Sequence, residues 1–241
     1  MGKNQSQIGK KKKIDRIEDE VKKLIVYGRS KGWFQAVKHL EHFLAGSGNS
    51  VKVPVNWLRN FGVIKRAQVG NNTRFAKSLL KISRITDDNS PNYWADRWDY
   101  QIKTNPFFER ELYYASGYST LTSFGYFKVE VKGKMVHING KVIHKWHDQY
   151  DWHHGLRVPV LSISDSQMLQ LQRYRGAQEF LMYSNWEETI TGKFPQNWLK
   201  FHFSLRKYFS KFKSKFLGSS RSIDNLPLQF IQQPSTSNQA V

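Results

Sequence analysis

The segment 119–147 constrains the fold more than any other part of the chain, because three runs of strand-forming residues follow one another there. Residues 119–130 are rich in β-branched and aromatic side chains, which favour strands. A Lys-Gly-Lys turn at 132–134 and an Asn-Gly pair at 139–140 separate the runs, and both residues of an Asn-Gly pair tolerate positive φ. The segment is therefore predicted to be a three-stranded antiparallel meander.

Helical spacing dominates the sequence before the meander. Apolar residues recur every three or four positions from Ile14 to Ile25 and from Phe34 to Leu44. We therefore predict a helical N-terminal region over 14–90, preceded by a disordered basic segment at 1–13. Only a short edge strand is expected at 51–55, because Pro54 has no N–H to donate. Together with the meander, this predicts an α+β fold with a mostly antiparallel sheet.

Composition limits both the core and the chemistry. Hydrophobic residues make up 39% of the chain and aromatic residues 15%, so the core is expected to depend on large rings. The absence of cysteine excludes disulfides, thiolate metal sites and a cysteine nucleophile. A net charge of +19 indicates an anionic partner, which could be nucleic acid, an anionic membrane or a phosphate-bearing substrate.

The C-terminal part separates into two predicted regions. Residues 91–217 form the α+β region, and within it 198–217 has an aromatic face surrounded by lysine and arginine. That pattern is typical of a basic amphipathic helix on an anionic membrane, although a helix packed on the domain would show it too. Residues 218–241 are polar and predicted to be a disordered tail.

The sequence shows neither a transmembrane segment nor a cleaved signal peptide. There is no run of 18 apolar residues, and the basic run at 10–13 is not followed by the apolar core of a signal peptide. We therefore expect synthesis without a cleaved signal peptide. Action in the periplasm or at a membrane surface would then require another export route.

The candidate functional site is the segment 148–157, which follows the predicted meander. It combines carboxylates, a phenol, imidazoles and a guanidinium, namely Asp148, Tyr150, Asp151, His153, His154 and Arg157. Such a set suits metal-assisted attack on phosphorus. Asp148 and Asp151 can hold a hard cation such as Mg²⁺, and a second carboxylate, His153 or His154 can take a proton from water. Arg157 can pair with phosphate oxygens.

The order Asp148-x-Tyr150-Asp151, after strand-forming residues and before His and Arg, resembles the catalytic signature of colicin M-type bacteriocins. The resemblance covers about residues 113–160. It implies a Mg²⁺-dependent antibacterial hydrolase that cleaves the undecaprenyl–pyrophosphate linkage of the peptidoglycan precursor lipid II. It also implies an open, mostly antiparallel sheet or half-barrel with helices. Asp151 would be the key carboxylate, with Asp148 and Tyr150 supporting it. An anionic lipid-linked substrate, the bacterial membrane surface and an immunity protein would be its partners.

Other hypotheses remain open on the sequence. A zinc site could be formed by His144, Asp151 and His153, and the 148–157 segment could be a charged aromatic loop without chemistry. The net charge of +19 and the interleaved aromatic residues would also suit a nucleic-acid-binding protein or nuclease. A third hypothesis is a non-enzymatic membrane-surface protein anchored by 198–217.

Overall fold

The computed structural model of the chain describes residues 2–82, 91–152 and 163–195. Within these ranges, six helices and five strands are described. The helices are α1 (Gly2–Ser30), α2 (Phe34–Ala45), α3 (Val55–Leu58), α4 (Gly62–Ile82), α5 (Arg110–Ala115) and α6 (Asp165–Arg175). The strands are β1 (Val51–Lys52), β2 (Asn92–Lys103), β3 (Tyr118–Lys132), β4 (Met135–Tyr150) and β5 (Phe180–Pro195). Predictions for His153, His154, Arg157, the 198–217 helix and the 218–241 tail lie outside the described residues.

The strands form one five-stranded open sheet in the order β1-β5-β4-β3-β2. The sheet is mostly antiparallel and its N-terminal region is helical, so the predicted α+β class is confirmed. The short β1 lies at the sheet edge and pairs in parallel with β5, with Val51 opposite Met182. The predicted edge strand is therefore present, and Pro54 ends it by forming the N-cap of α3.

Helix α1 begins at Gly2, so residues 2–13 are helical where composition predicted disorder. Lysine and glutamine, which are frequent in this segment, are good helix formers. The helix is also supported by a buried face of Ile14, Ile17 and Val21, which provides the tertiary packing that most helices need. Composition alone overlooked this continuation of the helix.

The predicted second turn at Asn139-Gly140 is wrong, because both residues lie inside β4. One turn, at Gly133 with φ of 60°, joins β3 and β4 into a hairpin of two long strands. The glycine at 140 has a different physical role. A Cβ there would lie 2.3 Å from the carbonyl oxygen of Tyr126 and 2.9 Å from the Cα of Phe127, so Gly140 permits a close approach of the two backbones.

Two strands were not predicted from the sequence, although both alternate in burial. In β2, Trp94 and Trp98 are less exposed than the residues on either side of them. In β5, Met182, Ser184 and Trp186 are buried between exposed neighbours. This period of two is the signature of strands with one covered face.

The chain divides into two units. The first comprises 1–67, 101–121 and 146–184, and its core includes Phe43, Leu58, Leu112 and Phe180. The second comprises 68–100, 122–145 and the described part of 185–241. Its core includes Phe75, Phe127, Val129, Ile190 and Phe194. Large rings contribute to both cores, as composition predicted.

Among the described helices, none is long and apolar enough to cross a membrane.

Candidate active site

The C-terminal end of β4 positions the predicted site in the first unit. Side chains of a strand alternate between its faces, so Trp146, Asp148 and Tyr150 share one face. Trp146 and Tyr150 are buried and Asp148 is half-buried beside them. The sequence therefore places a carboxylate in an apolar row, where it needs a polar partner.

That partner is Ser116, which caps the C-terminal end of α5 and is itself buried. Its hydroxyl donates a hydrogen bond to Oδ2 of Asp148 over 2.5 Å. The hydroxyl of Thr104 fixes the same backbone by donating to the carbonyl oxygens of Ser116 and Gly117 over 3.3 and 2.8 Å. Asp148 is thus held from the junction of α5 and β3.

The environment of Asp148 opposes its ionisation. Burial is the largest cause and the nearby charge of Asp151 acts in the same direction, so that the pKa of this carboxyl rises from 3.8 to about 7. Hydrogen bonds from Ser116 and from the backbone of Gln149 act the opposite way but are weaker. Asp148 therefore exchanges its proton near neutral pH, as a general acid or base requires.

Asp151 directly follows β4 and is half-buried. It is close enough to Asp148 for the two charges to repel each other. Carboxylate oxygens that repel in this way are ligands a hard divalent cation prefers. The described residues hold no group of three or more His, Asp and Glu side chains arranged around a common metal position.

Tyr150 lies in the aromatic core, which gives it a different setting from the two carboxylates. Its ring stacks on Phe180 with centroids 4.9 Å apart, and the ring centroids of His39 and Phe43 each lie 6.0 Å from that of Tyr150. Burial raises the pKa of the Tyr150 phenol. The ring therefore anchors the end of β4 between the two acids.

His39 contributes to the same core as a neutral imidazole. Burial lowers the pKa of His39 to about 4, and its Nδ1 lies 3.1 Å from the carbonyl oxygen of Ala115. The side-chain amide of Gln35 contacts its Nε2 at 2.9 Å. Both ring nitrogens of His39 therefore have hydrogen-bond partners within the first unit.

His144, the histidine of the zinc hypothesis, belongs to a buried polar network in the second unit. Its Nδ1 lies 2.8 Å from the Ser123 hydroxyl, and its Nε2 lies 3.3 Å from a carboxylate oxygen of Glu188. Glu188 also accepts hydrogen bonds from the amides of Gln68 and Asn72. These contacts occupy both ring nitrogens of His144, which argues for a structural role.

Sequence reasoning missed Ser116, because nothing near it in the chain marks it out. It lies 32 positions from Asp148, and serine at the end of a short helix is ordinary. Only the pairing of β3 with β4 brings the two together.

No protein-family model matches the chain, and a comparison with curated proteins finds no match. Among solved structures, PaeM, a colicin M-like bacteriocin produced by Pseudomonas aeruginosa, is similar with a TM-score of 0.37 and 12% sequence identity. The similarity covers 67% of this chain and 51% of PaeM, so the chain spans about half the length of that bacteriocin. This is a partial structural resemblance.

Proposed function

We propose that the chain is a divalent-cation-dependent hydrolase of the pyrophosphate linkage in a lipid-linked peptidoglycan precursor, acting as an antibacterial toxin. The observation that carries the proposal is the half-buried Asp148, whose pKa is raised to about 7 beside Asp151 and which is held by Ser116. A strongly perturbed carboxyl with a second acid next to it is typical of a functional site.

The two acids fit a hard cation by their chemistry. Asp151 and Asp148 would hold Mg²⁺, and the positive charge would offset the repulsion and the burial that now oppose ionisation of Asp148. When bound, such a cation polarises a phosphoryl oxygen and lowers the pKa of a bound water. Ser116 is a positioning residue, since its hydrogen bond fixes the Asp148 carboxylate.

The remaining roles follow from side-chain chemistry along the chain. His153 or His154 would accept the proton of the attacking water, and Arg157 would bind phosphate oxygens. Tyr150 would act through packing, because its ring is buried against Phe180.

The substrate class is supported by charge and by the sequence motif. A net charge of +19 attracts an anionic, membrane-bound substrate. The order Asp148-x-Tyr150-Asp151 resembles the signature of enzymes that act on lipid II. A toxin of this type would be matched by an immunity protein in the producing cell.

The test is turnover of detergent-dispersed lipid II by the full chain with Mg²⁺, measured as release of the pyrophosphorylated headgroup. Asp151→Asn should lower turnover by about 100-fold or more, because a neutral amide is a poor ligand for a hard cation. A chelator should abolish turnover in the wild type.

Two control variants sharpen this test. Asp19→Asn makes the same chemical change on the exposed face of α1, where the side chain is 69% exposed, and should keep full activity. Tyr150→Phe preserves the stacked ring and should also keep it. Wild-type turnover that survives Asp151→Asn, or its absence with every divalent cation tried, would contradict the proposal.

A further inference from the structure

The loop between β2 and α5 exposes two adjacent phenylalanines. Phe107 is 76% exposed and Phe108 is 85% exposed. Fully exposed large apolar side chains are ordinary when isolated, but a contiguous pair on one turn marks an interaction site. Leaving both rings in water forgoes the favourable free energy of burying their apolar surface.

The loop that carries this pair is held in place by hydrogen bonds and an ion pair. The side-chain oxygen of Asn105 accepts a hydrogen bond from the backbone N–H of Phe107 over 2.8 Å. The backbone carbonyl of Asn105 accepts one from the backbone N–H of Glu109 over 3.0 Å. Arg66 pairs with the Glu109 carboxylate at 3.4 Å. The loop is thus a structured turn in which the two rings are displayed.

The helix after the loop is anchored to the core of the first unit. Leu112 and Ala115 of α5 are fully buried. The carboxylate of Glu111 accepts hydrogen bonds from the indole N–H of Trp57 over 3.0 Å and the backbone N–H of Gln35 over 2.9 Å. The loop that exposes the two rings is therefore attached to a helix that is fixed to the core of the first unit.

Basic residues precede and follow this loop in the chain, and an exposed tyrosine follows α5. The ammonium of Lys103 is 5.6 Å from the centre of the Tyr118 ring, which is 60% exposed. Arg110 is exposed directly after the loop. Apolar rings flanked by tyrosine and by long cationic side chains match the layered chemistry of a membrane interface, in which acyl chains lie beneath anionic headgroups.

We propose that Phe107 and Phe108 insert into the surface of an anionic phospholipid bilayer and dock the first unit there. The occupant is lipid, because two phenyl rings offer no hydrogen-bonding groups while Lys103, Arg110 and the net charge of +19 complement anionic headgroups.

Docking of the loop on a membrane would also affect substrate binding at the candidate site. This inference rests on the proposed function. Thr104, at the start of the loop, is hydrogen-bonded to the backbone of Ser116, and Ser116 holds Asp148. Two consecutive hydrogen bonds thus connect the base of the membrane-docking loop to the candidate catalytic carboxylate. A lipid-linked pyrophosphate, which lies at the headgroup level, would be presented to that carboxylate.

The experiment is flotation of the full chain with vesicles of phosphatidylcholine containing phosphatidylglycerol and with vesicles of phosphatidylcholine alone. Replacing both rings by Phe107→Ser and Phe108→Ser should weaken binding to the anionic vesicles by about tenfold or more, given the apolar area withdrawn from lipid. Phe34→Ser is the matched control, since Phe34 is 67% exposed at the start of α2 in the same unit. It should bind as the wild type does.

A second variant guards against misfolding. Phe107→Leu with Phe108→Leu keeps the apolar surface and should retain binding within about threefold of the wild type. Binding that is unchanged in the serine variant, lost equally in Phe34→Ser, or absent in the wild type would overturn the proposal.

Failure of the docking proposal is distinguishable from failure of the proposed function. Asp151→Asn should bind vesicles normally while losing turnover. The serine variant should turn over detergent-dispersed lipid II normally while failing to bind vesicles.

Discussion

At the scale of single residues, Asp148 shows how a strand can impose chemistry on a side chain. Its position two residues from Trp146 and two from Tyr150 directs it to the covered face of β4. Burial then raises the pKa, and the Ser116 hydroxyl offsets part of that cost. The alternation of β4 can be read from the sequence, whereas the hydrogen bond from Ser116 to Asp148 cannot.

The raised pKa of Asp148 predicts a pH dependence of stability in metal-free protein. Because the folded-state pKa of about 7 exceeds the ordinary value of 3.8, the fold favours the protonated carboxyl. Its stabilising contribution is full below pH 3.8 and is lost as pH rises towards about 7. We therefore expect the stability of Asp148→Asn, relative to the wild type, to increase across this window.

The measurement is urea unfolding of both proteins at several pH values in the presence of a chelator. The difference in stability between the two proteins isolates Asp148. His39 contributes a pH dependence of the opposite sign to that of Asp148, but this contribution is the same in both proteins and cancels. The pKa of His39 is lowered from 6.5 to about 4, so its contribution is present above 6.5 and lost as pH falls towards 4. A difference that does not change with pH would show that Asp148 titrates normally.

At the scale of elements, local patterns predicted the helices that contain 14–25 and 34–44 but only part of the sheet. Helix α6 was recognisable from Ser164, whose capping box with Gln167 is formed in the structure. Strand β5 alternates cleanly, yet the polar residues Ser184 and Glu188 on its covered face obscured the pattern. They are accommodated by partners far along the chain, such as Val53 and His144, which no local pattern can reveal.

The Asn139-Gly140 pair shows where a strong local rule gave the wrong element. The same two residue types suit a tight turn, or a position in a strand that the backbone of a neighbouring strand approaches closely. Only the tertiary structure decides between these two possibilities. Here Tyr126 and Phe127 of β3 occupy the space that a side chain at 140 would need.

This close approach predicts that Gly140→Ala is strongly destabilising. The added methyl would meet the backbone carbonyl of Tyr126 at 2.3 Å, and backbone cannot yield as a flexible side chain does. We expect a loss of about 2–4 kcal/mol in the free energy of unfolding, within the range for strained or overpacked positions. Chemical denaturation provides the measurement.

Gly117→Ala is the matched control, because a Cβ at 117 meets no atom within 4 Å. It should change the free energy of unfolding by less than about 1 kcal/mol. Equal effects of the two substitutions would mean that β3 and β4 do not approach as described.

At the scale of the whole molecule, charge and exposed rings act over different distances. The net charge of +19 attracts any anionic surface and so does not by itself distinguish a membrane from a nucleic acid. Phe107 and Phe108 act only on contact, and their apolar contribution is insensitive to screening. The sequence revealed the charge at once. The exposure of the two rings required the loop structure, because adjacent phenylalanines are more often buried.

The separation of these two effects predicts the outcome of a salt series on vesicle binding. Raising the salt from about 0.1 M to 1 M shortens the screening length from about 10 Å to about 3 Å, so binding of the wild type to phosphatidylglycerol vesicles should weaken steadily. The Phe107→Ser, Phe108→Ser variant should weaken in parallel, keeping a constant ratio to the wild type of about tenfold or more. Parallel lines on a plot of log affinity against log salt would show that rings and charges contribute independently. Lines that converge at high salt would mean that the phenylalanines act only by positioning charge, and the insertion of the loop into lipid would then be excluded.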